Sequence, residues 1–139
     1  MFKQKRITYI LFSRREFTMA KVLIVEDDKI VRSGLKVLMV NEGFETYFTD
    51  DGNEALRLAQ QHKPDVILCD IAMPIMDGYE VLKNLRARPE TASIPVLFLT
   101  AKITKEEERI GLDMGVNAYL KKPMWPEEIL EQVKKFIKK

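Results

Sequence analysis

Asp70 closes an apolar run, Asp65-Val66-Ile67-Leu68-Cys69, and is followed by Met73-Pro74-Ile75-Met76-Asp77-Gly78. Such a run reads as a buried β-strand that delivers one carboxylate to its carboxyl end before the chain turns. A second strand-like run, residues 21–25, ends in Glu26-Asp27-Asp28. If the two strands are neighbours, three or four acids share one small crevice. Like charges at that range destabilise one another and raise their pKa values unless a cation neutralises them. The first expectation is therefore a divalent-metal site with a nucleophilic or ligating aspartate. Hard carboxylate oxygens suit Mg²⁺, which keeps several waters and favours phosphate as a further ligand.

Two further strand ends carry complementary groups. Thr100 follows the apolar run 96–99, and Lys122 follows the run 118–120, directly before Pro123. A hydroxyl and an ammonium can hold two oxygens of a transferring phosphoryl group. Asp70 would then be the nucleophile and form an acyl phosphate, with catalysis supplied by positioning and charge neutralisation. Each part has a plainer reading when taken singly. Glu26-Asp27-Asp28 reads equally as a solvated turn with Asp28 capping the next helix. Thr100 reads as an ordinary strand residue, Lys122 as a surface lysine, and Pro74 and Gly78 as loop punctuation. Their conjunction at four separate strand ends weighs against those readings.

The elements that must position these groups alternate from Met19 onward. Strands are expected at 21–25, 46–49, 65–69, 96–99 and 118–120. Ile30, Val31, Leu35, Leu38 and Met39 form an apolar stripe at helical spacing, and Gly43 suits the end of that helix. Shorter helices are expected over 53–62 and 79–86. Thr104-Lys105-Glu106-Glu107 is a capping box that opens a fourth helix, which Gly115 stops. The last helix has Pro126 at its start, Glu127 and Glu128 in its first turn and Lys134, Lys135, Lys138 and Lys139 at its end, an order that complements the helix dipole. It lacks the usual polar cap because Trp125 precedes the proline. Trp125 itself is read as packing over the domain edge or, alternatively, meeting a partner. Strands alternating with helices imply an α/β fold, a doubly wound parallel sheet covered on both faces. The mixed strand 46–49 belongs at an edge. Right-handed crossovers bring all carboxyl ends to one rim, with the ligand site at the reversal of strand order.

Bulk properties narrow the function classes. At 139 residues, 46% hydrophobic and 32% charged, the chain reads as one soluble globular domain rather than a disordered one. Its single cysteine, Cys69, sits in an apolar strand and reads as a small buried hydrophobe in a reducing compartment. Residues 1–18 carry five cations against one acid, a charge of +4; with +2 overall, the remainder carries −2. The basic character belongs to this extension, and the core makes no case for nucleic acid. The extension's apolar stretch, residues 7–12, is too short for a secretory core or a membrane span. Residues 1–18 are read as a dispensable extension, with a weak membrane or partner tether as the alternative, and 19–139 as the domain. A dinucleotide or P-loop site wants glycines and backbone amides after the first strand, whereas this turn is acidic. A flavin site of the flavodoxin type fails on the same residue types. An aspartate-based phosphohydrolase wants a second acid two residues after the nucleophile, and that position is Ala72.

These residues resemble the receiver domain of two-component response regulators, close to the single-domain chemotaxis type. The resemblance rests on Val22-Leu23-Ile24-Val25-Glu26-Asp27-Asp28, Asp70-Ile71-Ala72-Met73-Pro74-Ile75-Met76-Asp77-Gly78, Leu99-Thr100-Ala101 and Tyr119-Leu120-Lys121-Lys122-Pro123. It covers about residue 20 to residue 138. The spacings of 30 residues from Asp70 to Thr100 and 52 from Asp70 to Lys122 fit as well. The resemblance implies a flavodoxin-like (βα)5 fold with strand order 2-1-3-4-5. It implies that Asp70 accepts phosphoryl from a histidine kinase or phosphotransfer protein. Mg²⁺ would be bound by Asp27, Asp70 and the backbone carbonyl of Ala72, with Glu26 acting through metal-bound water. Lys122, chosen over Lys121 because it directly precedes the proline, would pair with the phosphoryl group. Thr100 would bond to it, and Tyr119 would swing inward as the switch aromatic. Ala72 and Lys102 occupy the positions associated with the rate of dephosphorylation.

The expected protein is a cytoplasmic, single-domain response regulator, since the chain ends after the fifth helix and leaves no room for an output domain. It is no enzyme beyond its own aspartyl phosphorylation and dephosphorylation. Its output would be an effector protein bound on the face of the fourth helix, fifth strand and fifth helix, and the same face would serve a phosphorylation-dependent homodimer. Neither nucleic acid nor membrane is an expected partner. The alternatives are a phosphate-independent scaffold with the same fold and a phosphate sink or relay shuttle.

Overall fold

Three strands of this chain form from runs dense in Val, Ile, Leu and Phe, and two more mixed runs, each with a tyrosine, form strands beside them. The computed structural model describes residues 19–137. The extension assigned to residues 1–18 and the final two residues lie outside that range. In chain order the elements are β1 (Lys21–Val25), α1 (Lys29–Asn41), β2 (Glu45–Thr49), α2 (Gly52–His62), β3 (Val66–Asp70), α3 (Gly78–Arg86), β4 (Val96–Thr100), α4 (Lys105–Asp113), β5 (Ala118–Lys121) and α5 (Pro126–Phe136). All strand pairs are parallel and the order is β2-β1-β3-β4-β5. This is the doubly wound parallel sheet expected from the residues, in the flavodoxin-like order that the resemblance implies. The order reverses between β1 and β3, so their carboxyl ends flank the switch point.

The period of two along each strand sorts side chains into two cores. Leu23, Val25, Ile67, Cys69, Val96 and Phe98 face Ala55 and Ala59 of α2 and Val81, Leu82 and Leu85 of α3. Val22, Ile24, Val66, Leu68, Leu97 and Leu99 face Leu35 and Met39 of α1 and Ile129 and Val133 of α5. β3 and β4 are buried at every residue, while β2 and β5 are the half-buried edges. Truncating a fully buried leucine such as Leu68 or Leu82 to alanine in cores of this kind costs about 2–5 kcal/mol.

Helix ends follow local chemistry. Asp28 accepts from the amides of Ile30 and Val31 and so starts α1. Thr104 and Glu107 form the expected capping box on α4, and Gly43 and Gly115 take positive φ just beyond α1 and α4. α5 begins at Pro126 with no side-chain cap, as read from Trp125.

Six elements are bounded differently from the sequence reading: β2 starts one residue earlier, at Glu45, and β4 and β5 each end one residue later, at Thr100 and Lys121. β3 spans Val66–Asp70 rather than 65–69. Asp65 instead turns its side chain back to accept from the amide of Lys21, while Asp70 pairs with Leu99. α2 and α3 each start one residue early, at Gly52 and Gly78, because Asp51 and Asp77 cap them. Asp77 and Glu80 form a second, unanticipated capping box.

Gly78 is the tightest of these starts. Its amide donates to the carbonyl of Ile71. A Cβ there would lie 2.6 Å from the carbonyl oxygen of Asp70 and 2.8 Å from Cα of Ile71, both backbone atoms. Gly78→Ala should destabilise the domain by about 1–3 kcal/mol in urea denaturation. An unchanged midpoint would mean that the turn after Asp70 yields freely.

Candidate functional site

Each predicted strand end reaches the same rim. The amide of Glu26 donates to the carbonyl of Thr49, which carries β1 one residue further toward the site. The Glu26 side chain is fully buried. Its Oε2 accepts from the amide of Asp28 at 3.1 Å. Its Oε1 accepts no hydrogen bond, although Nζ of Lys122 lies 3.1 Å away in an ion pair. Asp70 is 5% exposed, and its Oδ1 lies 3.4 Å from the same Nζ. Asp27 is exposed at the mouth. One carboxylate oxygen from each of Glu26, Asp27 and Asp70 lies within 4.8 Å of the other two.

One ammonium thus faces a cluster of acids. Asp70 is raised from the ordinary aspartate value to about 7, first by burial and then by Glu26, while Lys122 pulls the other way. Burial alone would lower the Lys122 amine, but Glu26 and Asp70 outweigh it and raise it. Burial, followed by the charges of Asp70 and Glu26, pushes the Cys69 thiol far above its usual range, so this cysteine is an inert core residue.

The cleft above these groups has a volume of about 390 Å³. Ala72, Tyr79, Thr100, Lys102 and Glu107 are on its wall with the acids and Lys122. Thr100 is 7% exposed, and its hydroxyl is engaged locally. It donates to the carbonyl of Lys102 at 3.0 Å and accepts from the Lys102 amide at 3.2 Å. The Lys122 amide donates to the carbonyl of Thr100 at 2.7 Å, which fixes the lysine stem to β4, and the Lys122–Pro123 peptide is cis. Tyr119 stands apart from the carboxylates, behind Phe98, with its hydroxyl donating to the carbonyl of Glu107 at 3.1 Å.

The structure therefore brings Glu26, Asp27, Asp70 and Lys122 together, sets Ala72 and Thr100 on the wall, and leaves Tyr119 outside. Sequence reasoning passed over Arg32, whose Nη1 donates to the carbonyls of Glu26 at 3.0 Å and Asp27 at 3.5 Å. It holds the acidic turn from α1, and its place six residues after Glu26 was the available signal. Trp125 is 69% exposed and so does not pack over the domain edge. Near it, a larger apolar hollow of about 730 Å³ opens between α1 and α5 and shares Ala101 and Lys122 with the acidic cleft.

The residues fit a hard divalent cation. The donors are carboxylate oxygens, and a cation among them would offset the burial and the repulsion that raise Asp70. The family model for the response regulator receiver domain matches residues 22–134. The chain belongs to that family.

This receiver domain is 40% identical over 116 residues to the probable transcriptional regulator ycf29 of Porphyra purpurea, across 84% of this chain and 56% of that protein. It is 34% identical over 119 residues to the alkaline phosphatase synthesis transcriptional regulatory protein PhoP of Bacillus subtilis, across 86% and 49%. The chain spans about half the length of the curated relatives it matches. Among solved structures, the chemotaxis protein CheY4 of Vibrio cholerae matches with a TM-score of 0.82 at 34% identity, over 86% of this chain and 99% of that one. The receiver domain of the sensor histidine kinase PA1611 of Pseudomonas aeruginosa is described with a magnesium ion in its active site cleft. It matches with a TM-score of 0.79 at 28% identity, over 86% and 98%. Receiver domains are phosphoacceptors of two-component systems that bind Mg²⁺ at an acidic pocket. No helix among the described residues is long and apolar enough to cross a membrane.

The raised Asp70 has a measurable consequence. Without metal, the folded protein holds this proton more tightly than the unfolded chain between pH 3.8 and about 7, so the group's contribution to stability falls as pH rises through that window. Asp70→Asn removes the charge. In chelator, the variant should gain on the wild type by about 1–4 kcal/mol between pH 4 and pH 8, and added Mg²⁺ should narrow or reverse that gain. Parallel pH profiles in urea melts would show that the Asp70 carboxylate is not the strained group.

Proposed function

We propose that this receiver domain is a phosphorylation switch in which Asp70 takes a phosphoryl group from a histidine kinase or phosphotransfer protein. The observation that carries the reading is the buried Asp70 carboxylate, 3.4 Å from the Lys122 ammonium and beside Glu26 and Asp27. An Asp70 oxygen attacks phosphorus, the bond from phosphorus to the donor's imidazole nitrogen breaks, and the electron pair leaves with the imidazole. The product is an acyl phosphate on Asp70. Asp27, Asp70 and the carbonyl of Ala72 would hold Mg²⁺, with Glu26 supporting it through bound water. When bound, the ion supplies neutralisation of the carboxylates and orientation of the phosphoryl oxygens.

The other residues act on the product. Lys122 already spans Glu26 and Asp70, so it can follow the charge onto the phosphoryl group. Thr100 must give up its bonds to the Lys102 backbone to reach that group, which would draw on the segment between β4 and α4. Tyr119 is the proposed switch aromatic. The phosphoryl group favours the arrangement it binds better, a population shift rather than a forced movement. The proposed output is an effector protein, or a second copy of the chain, bound on the α4–β5–α5 face in the cytoplasm. Residues 1–18 are proposed to be dispensable for the switch. Ala72, where a phosphohydrolase would keep an acid, supports self-limited chemistry on the domain's own aspartate rather than turnover of a separate substrate.

Incubation with Mg²⁺ and acetyl phosphate should give an alkali-labile, hydroxylamine-labile mass increase of one phosphoryl group. Asp70→Asn should abolish it, and a variant that still forms it would move the chemistry elsewhere. Lys122→Ala should retain Mg²⁺ binding by calorimetry and lose the response of the effector face to beryllofluoride; an intact response would remove its assigned role. A wild-type protein with no Mg²⁺-dependent change on phosphodonor would be a phosphate-independent scaffold.

A further inference from the structure

α4 is attached to the domain without an apolar anchor. Of its nine residues only Gly111 is buried, and glycine has no side chain to contribute. What meets the helix instead is a pair of phenols. Tyr119 donates to the carbonyl of Glu107 at 3.1 Å, and the Tyr79 hydroxyl lies 3.5 Å from the same oxygen. The two hydroxyls thus converge on one carbonyl oxygen of α4. Both rings lean on Phe98, which is fully buried, with centroid distances of 5.3 Å for Tyr79 and 5.6 Å for Tyr119. Phe98 thus sets the distance between them.

Gly111 makes room for this junction. A Cβ at that position would lie 1.8 Å from Oη of Tyr119 and 2.9 Å from its Cζ. The phenol occupies a slot in α4 that exists only for want of a methyl group. Tyr79 differs from Tyr119 in one respect: it stands in the first turn of α3 and lines the acidic cleft, nine residues after Asp70. It is the aromatic that touches both the cleft and the α4 carbonyl.

We propose that Tyr79 is a positioning residue of the switch, which meets the Glu107 carbonyl beside the Tyr119 phenol in its Gly111 slot and so ties the resting position of α4 to the wall of the phosphoacceptor cleft. The proposal rests on the reading of this domain as a phosphorylation switch with Tyr119 as its aromatic. Loss of the Tyr79 hydroxyl removes one of the two phenols at the Glu107 carbonyl, which weakens the resting arrangement of α4 and of Tyr119 in its slot. A ligand that favours the displaced arrangement binds more tightly once the resting one is weakened.

Hydrogen exchange by mass spectrometry and titration with beryllofluoride and Mg²⁺ test this on the full chain. Tyr79→Phe keeps the ring on Phe98 and removes one oxygen. It should raise exchange in α4 about fivefold, leave β3 and β4 unchanged, and tighten beryllofluoride binding by a similar factor. Gly111→Ala should act in the same direction even though alanine is the better helix former, because the methyl group evicts the phenol. Greater protection of α4 in Gly111→Ala would overturn the proposal, since it would report helix propensity alone. So would unchanged α4 exchange in Tyr79→Phe, or an equal effect of Tyr79→Phe in a Gly111→Ala background, where the junction is already broken. Failure of wild-type protein to bind beryllofluoride would overturn the phosphoacceptor reading and the coupling with it; the exchange data, taken without phosphodonor, separate that failure from failure of the junction.

Discussion

One half-buried lysine stands between two buried acids, and the site depends on that imbalance. Glu26 and Asp70 share the Lys122 ammonium while Asp27 adds a third carboxylate at the mouth. A lone ammonium leaves net negative charge in a desolvated pocket, and only a proton or another cation can make up the difference. The proton answer is visible in the raised Asp70. The cation answer is what the oxygen donors favour, because a divalent ion satisfies several carboxylates at once. A proton and the proposed metal would therefore compete for one set of oxygens, and metal binding should release a proton near neutral pH.

That imbalance could not be maintained on a flexible scaffold. Parallel strands buried on both faces hold their carboxyl ends rigidly, and residues as far as 96 positions apart in sequence meet there only because β1 and β3 are neighbours and β4 and β5 continue the row. Backbone bonds extend the register beyond the strands, from Glu26 to Thr49, from Ile71 to Leu99 and from Lys122 to Thr100. Arg32 adds a side chain that grips the carbonyls of the acidic turn. Each acid is thereby fixed by main-chain geometry, so the energy of bringing like charges together is met by folding of the whole sheet.

Much of this was legible in the residue pattern. Unbroken apolar runs marked β1, β3 and β4 as central, the mixed composition of β2 marked an edge, and acids at run ends marked the rim. The acidic cluster followed because it depends on strand order and direction, which periodicity and crossover handedness constrain. The illegible features depend on local geometry. Asp51 and Asp77 cap helices whose starts looked like loop, since a cap is read from a side-chain bond rather than from periodicity. Ile75 takes φ of 67°, a conformation β-branched residues rarely adopt, in the loop after Asp70. Nothing in its residue type announces it. The engagement of Thr100 with the Lys102 backbone, and the slot at Gly111, arise from contacts between elements and leave no periodic trace.

The contrast between the centre and one flank decides where a change at Asp70 can be felt. β3 and β4 are buried throughout and packed on two faces, so added charge at their ends cannot move them without opening both cores. α1 and α5 each place two fully or nearly buried apolar residues against the sheet, and α3 places three in addition to Gly78. α4 places none beyond a glycine, and its exposed surface carries Ile110 and Leu112. Local stability scales with buried apolar contact, so α4 is the element with least to lose on moving. It also borders the cleft, through Glu107 and the segment that bonds Thr100. A phosphoryl group on Asp70, as proposed, would compete for the Thr100 hydroxyl and so act on the one described helix that the core does not hold, and two partly exposed apolar side chains would move with it.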